Sequence, residues 1–290
     1  MRNVWLIKDC MPLNFNFNAV QILWTLTFAA HLVLLVVLLG RDRMRHFPWF
    51  TTAIALVALR LVASRLLYGR LPQITLGGIF IVLADVSAVV ALLVLVEMAR
   101  RAFSGAGRKT WALCGIVVFG IGAAVLAVWG IWPSLKSLTP SNTLATLGLL
   151  QLLAQKLGLL VDVMTIELGL LVVAFGRRYQ AGWRTHTQQI VVGLSTVSIA
   201  QLAVQGIWQL IAKSAAPHSM AEYERTVGLR DKLVNGNSAV YLAATLWWIV
   251  CLWIDEPGSA PVEAEALRVE TDEPAEKELD PVDLPKEAQD

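Results

Sequence analysis

The chain has 290 residues, of which 56% are hydrophobic and 16% charged, with a mean hydropathy of +0.60; this is too apolar for an ordinary soluble domain, where about a quarter of residues are charged. The three cysteines, Cys10, Cys114 and Cys251, lie far apart, which excludes a disulfide scaffold or a C-x-x-C site. The formal charge of +2 conceals a division: residues 1–254 hold 21 Lys/Arg against 9 Asp/Glu, and residues 255–290 hold 3 against 13.

Residues 1–18 form a short segment with Trp5, Phe15 and Phe17 suited to an interface, and no signal-peptide pattern opens the chain. Seven apolar stretches follow. The first helix is expected over 19–40 and ends in the basic run Arg41-Asp42-Arg43-Met44-Arg45-His46. The second covers 48–68, with Pro48 in the first turn, where a missing N–H costs nothing. Gly69-Arg70-Leu71-Pro72 is a turn. The third covers 75–99 and runs into Arg100-Arg101; the fourth covers 111–132 and stops at Pro133. The fifth covers 150–175 and is followed by Arg177-Arg178; the sixth covers 187–212 and the seventh 235–254. Ser219-Met220-Ala221-Glu222 has capping-box spacing, so 220–233 is expected as a separate surface helix before the seventh.

About 20 residues suffice to cross a hydrocarbon core roughly 30 Å thick. The alternation of a membrane barrel is missing, so the fold class is all-α: a polytopic membrane protein with a seven-helix transmembrane domain over 19–254. Residues 255–290 carry five prolines, no aromatic residue and strong negative charge, so they form a disordered acidic tail.

Orientation follows from the basic residues. Loops 1–2, 3–4 and 5–6 hold three, four and three Lys/Arg, against one each in loops 2–3 and 4–5. This puts the N-terminus outside and the C-terminus in the cytoplasm of an inner (plasma) membrane. Trp24, Trp129, Trp132 and Trp208 fall at the outer level and Trp49, Trp111 and Trp253 at the inner, as an aromatic belt would.

The stretch 149–175 carries Lys156, Asp162 and Glu167 within an apolar run. Charges in hydrocarbon are costly and normally face a bundle interior or a cavity. Counted along the helices at 1.5 Å per residue, His31, Arg60, Asp85, Asp162, Gln201 and Tyr241 share one level near the midplane. Such a layer suits a proton relay, an ion site, a polar ligand pocket, or an ion-pair network that fixes helix register. Arg60 lies too deep to reach water, so it is expected to pair with Asp85 or Asp162. Lys156 is expected to reach outward to the interface, and Glu97 with Arg101 reads as a surface pair.

No H-x-x-x-H, H-E-x-x-H, G-x-S-x-G, Walker A or G-x-G-x-x-G pattern occurs. No metal, cofactor or catalytic residue is therefore expected. The expected partners are the lipid bilayer and a cytoplasmic protein held by the basic loops or the acidic tail; nothing points to nucleic acid. The seventh stretch has no internal lysine, which excludes a retinal Schiff base, and no proline falls past the first turn of any span, unlike transporters with broken helices. His46-Phe47-Pro48-Trp49-Phe50 and Leu93-Val94-Leu95-Val96-Glu97-Met98-Ala99-Arg100-Arg101-Ala102-Phe103 resemble stretches of uncharacterised seven-helix bacterial membrane proteins. The arrangement also looks like the seven-helix input modules of bacterial sensor proteins. This resemblance implies a sensor-like or partner-binding module without catalysis; the alternative is a small-solute or proton-coupled transporter using the midplane layer.

Overall fold

A computed structural model describes residues 19–104, 108–129, 143–175, 185–214 and 220–255. The expected segment 1–18, the loop around Pro133 and the acidic tail lie outside these residues. The described residues form eight helices: α1 (Ala19–Gly40), α2 (Arg43–His46), α3 (Pro48–Leu67), α4 (Gln73–Ala102), α5 (Arg108–Val128), α6 (Thr143–Phe175), α7 (His186–Ser214) and α8 (Met220–Trp253). Six of them, α1, α3, α4, α6, α7 and α8, are long and apolar enough to cross a membrane. The seventh expected span, α5, is apolar over the shorter stretch Ala112–Val128.

Local chemistry sets the ends. Asp42 (φ 52°) and Gly69 (φ 78°) adopt left-handed backbone in the turns after α1 and α3. Glycine takes that conformation without steric cost, and aspartate tolerates it better than most residues. Pro48 opens α3 from its first turn. One boundary differs from expectation. No separate surface helix precedes the last span, because α8 runs unbroken for 34 residues from Met220 to Trp253. Nothing in Thr226–Ser238 interrupts it: neither proline nor a left-handed residue occurs there.

The six long helices close into a ring. Each packs on two neighbours in the order α1, α3, α4, α6, α7, α8 and back to α1, with a further contact across the ring between α4 and α7. Helix α5 stands outside this ring against α6. Gly122 makes that approach close: a methyl group there would meet Leu160 and Met164 at 3.0 Å. Lys156 on α6 donates to the Trp129 carbonyl at 2.6 Å. The lysine thus reaches the carbonyl end of α5 at Trp129, where its charge complements the helix dipole.

Buried side chains concentrate in one half of the ring. Leu34 and Leu38 of α1, Phe50 of α3, Met98 of α4, Ile190 of α7 and Trp248 of α8 are almost fully enclosed there. This is the half that carries the basic chain ends. The Arg41 guanidinium lies 5.0 Å over Trp253, and His186 Nε2 donates to the Ile254 carbonyl at 2.9 Å. At the opposite end Arg65 covers Trp24 and Arg230 covers Trp208. Tryptophan thus pairs with arginine at both ends, as amphipathic anchors do at the limits of an apolar slab.

Candidate functional site

Four helices bring polar side chains into the ring where the packed core stops. On α1, His31 is completely buried. Its Nδ1 lies 2.6 Å from the Thr27 carbonyl, and its Nε2 lies 2.8 Å from the Tyr241 hydroxyl of α8. A carbonyl can only accept, so in the neutral imidazole Nδ1 carries the proton and Nε2 accepts from Tyr241. The two rings also stack at 5.4 Å. Tyr241 and His31 are 210 positions apart in the chain, so this contact fastens the first long helix to the last.

On α6, Asp162 Oδ1 accepts from the Ser198 hydroxyl of α7 at 2.9 Å. One turn along α7, Gln201 accepts from the Asn237 amide of α8 at 2.6 Å. Asn237 stands four residues before Tyr241, on the same face of α8. The three contacts together link α1, α6, α7 and α8 around one level. A second tie lies nearer the basic end, where the Ser195 hydroxyl contacts the carbonyls of Thr165 (3.0 Å) and Val191 (2.8 Å).

Asp162, Ser198 and Tyr241 line a partly open cavity of about 200 Å³ between α3, α4, α6, α7 and α8. Most of its wall is aliphatic. Phe50 and Trp248 form its floor, set edge to face at 5.3 Å. Below them the buried core separates the cavity from the basic end. The pocket is apolar with a few converging polar groups, which is the usual make-up of a small-molecule site.

The expected midplane residues thus divide. His31 and Tyr241 are bonded to each other; Asp162 shares the cavity with Tyr241; Gln201 is one turn from Ser198. Asp85 is half-buried on α4, with Oδ1 sheltered and without a hydrogen-bond partner. Arg60 is exposed on α3 and forms no ion pair with any described carboxylate, which corrects the expected pairing with Asp85 or Asp162. The reason is azimuth. Phe50, Ile54 and Ala58 mark the buried stripe of α3, and Arg60 sits about 200° round the helix from Ala58 at 100° per residue.

Glu97 is also not a surface residue. It is buried, and its Oε2 accepts from the Phe50 backbone N–H at 3.1 Å. Phe47, at the N-cap of α3, has no side chain able to cap, so a carboxylate from α4 fills that role. Arg101 lies 4.7 Å over the Phe47 ring. The two short stretches that carry the resemblance, 46–50 and 93–103, therefore touch each other.

No protein-family model, curated protein or solved structure matches the chain. The site is therefore read from its own geometry. Ser198, Asn237 and Trp248 were not singled out in the sequence. Asn237 is the one with a signal, since it lies a turn from Tyr241 in a polar interval of α8. Among the described residues no group of His, Cys, Asp and Glu is arranged to hold a metal ion.

Proposed function

We propose that the chain is a seven-span integral protein of an inner (plasma) membrane that works as a non-catalytic, sensor-like module. A small solute enters the ring from outside, and a cytoplasmic protein reads the basic loops or the acidic tail. The observation that carries this reading is the partly open, largely apolar cavity with its polar pole, set beside the packed core of the basic half. A transporter needs access from both ends; the tight packing of Phe50, Trp248 and their neighbours toward the basic end supports the sensor reading. Helix α5 is the seventh span in this reading. Its 21 residues from Arg108 to Val128 are enough to cross the core, and Lys156 of α6 holds the carbonyl of Trp129 just beyond its far end.

The orientation is tested by a reporter fused after Asp255. It should score cytoplasmic, because the short loops next to α1, α4 and α6 hold the excess of Lys/Arg. A periplasmic score would exchange inside and outside and place the closed core on the outer face. The function is tested with purified protein in sealed liposomes and radiolabelled small amines, alcohols and acids. Retention of a probe by the protein with no flux above protein-free liposomes is the expected result. Flux above that level would replace the sensor reading with transport.

A further inference from the structure

We infer that the cavity between α3, α4, α6, α7 and α8 takes a small organic cation with N–H donors, such as a primary ammonium. The inference rests on the reading of the cavity as a ligand site and deepens it by naming the ligand's chemistry.

The argument is an account of donors. Five polar side chains line the cavity: Asp162, Thr165, Ser198, Tyr241 and Trp248. The Ser198 hydroxyl gives its hydrogen to Asp162, and Thr165 gives its hydrogen to the Val161 carbonyl at 2.7 Å. Tyr241 gives its hydrogen to His31, whose own proton is held by the Thr27 carbonyl. The Trp248 Nε1–H has no acceptor, but it is pressed against Gly193 of α7, where even a methyl group would collide with it. What remains for an occupant is lone pairs on Asp162, Thr165, Ser198 and Tyr241. A molecule that brings only acceptors finds no partner there.

Charge points the same way. Asp162 has a hydroxyl for company and no ion-pair partner among the described residues, and no Lys or Arg lines the cavity. A carboxylate held in apolar surroundings without a countercharge is unfavourable, and a bound cation supplies the missing charge. The aromatic rings of Phe50, Tyr241 and Trp248 add faces that attract cations. Size suits a small occupant. About 200 Å³ is somewhat more than the ~150 Å³ that accommodates benzene, so a molecule of roughly six to eight non-hydrogen atoms fits within it.

The test uses three probes of one size and different charge: n-pentylammonium, 1-pentanol and pentanoate. Binding to the full chain in nanodiscs is followed by calorimetry and by tryptophan fluorescence, since Trp248 borders the site. Pentylammonium should bind about tenfold or more tighter than pentanol, the worth of one hydrogen-bonded charge in a desolvated site. Asp162→Asn should erase that preference. Ala53→Leu, which fills the cavity from α3, should abolish binding of all three. Ser198→Ala keeps the carboxylate and should keep the preference, which serves where Asp162→Asn does not fold. Equal affinity for pentanol, persistence of the preference in Asp162→Asn, or pentylammonium binding that survives Ala53→Leu would each overturn the inference. If the probes bind equally and Ala53→Leu abolishes them all, the cavity remains a ligand site and only the cation assignment fails. If no probe binds the wild-type chain, both fail.

Discussion

Trp248→Ala should destabilise the bundle by about 3–5 kcal/mol, the range for removing a large aromatic side chain from a packed core. For a chain of this size that corresponds to a fall in Tm of roughly 10 °C, read by thermal unfolding in detergent. Trp248 is 1% exposed, meets Phe50 edge to face and closes the floor of the cavity, so its loss joins that cavity to a void in the core. Trp248→Phe should cost less than about 1.5 kcal/mol, because it keeps the ring and removes an N–H that has no acceptor. The other side of the contact provides the control. Gly193→Ala should cost about 1–3 kcal/mol by overpacking, since an added methyl group meets the indole directly. In the Trp248→Ala background the same change should be close to neutral, a coupling that only residues in contact show. If the two substitutions add instead, the indole does not occupy that position.

Glu97→Ala should cost about 2–3 kcal/mol. It strands the Phe50 N–H in a buried place and removes a negative charge from the first turn of α3. Glu97→Gln keeps a carbonyl acceptor and should lose less than half as much. The expected readout is a Tm lower by roughly 5–10 °C for the alanine variant. Hydrogen exchange should speed up at the start of α3, ahead of the rest of the ring. An alanine variant as stable as the wild type would mean that water satisfies the amide, and that the carboxylate plays no part in holding α3 to α4.

Depth along a helix was legible in the chain; direction around it was not. Long apolar runs are required for any span, so the six long helices could be read from composition alone. His31, Asp162, Gln201 and Tyr241 were picked because polar groups in such runs must find shelter, and each has found a partner. Arg60 has the same depth yet lies outside, because it sits about 200° round α3 from the buried stripe that ends at Ala58. Glu97 failed the criterion and lies inside. Its i, i+4 neighbour Arg101 suggested a surface pair, whereas the deciding contact comes from a different helix, 47 positions away. Pairing between helices depends on which ones are neighbours, and no local pattern encodes that α5 is left out of the ring while α4 and α6 meet.

The unbroken helix α8 has a mechanical consequence. Its 34 residues make a rod about 51 Å long, some 20 Å more than a hydrocarbon core is thick. The surplus stub carries exposed Glu222, Glu224, Arg225 and Asp231, and the same rod carries Asn237, Tyr241 and Trp248 into the bundle. Torque applied to the stub is delivered to the cavity wall through continuous backbone hydrogen bonds, and Arg230 braces the stub against Trp208. A body that grips the stub would therefore turn the tyrosine without entering the ring, and a solute that moves the tyrosine would swing the stub.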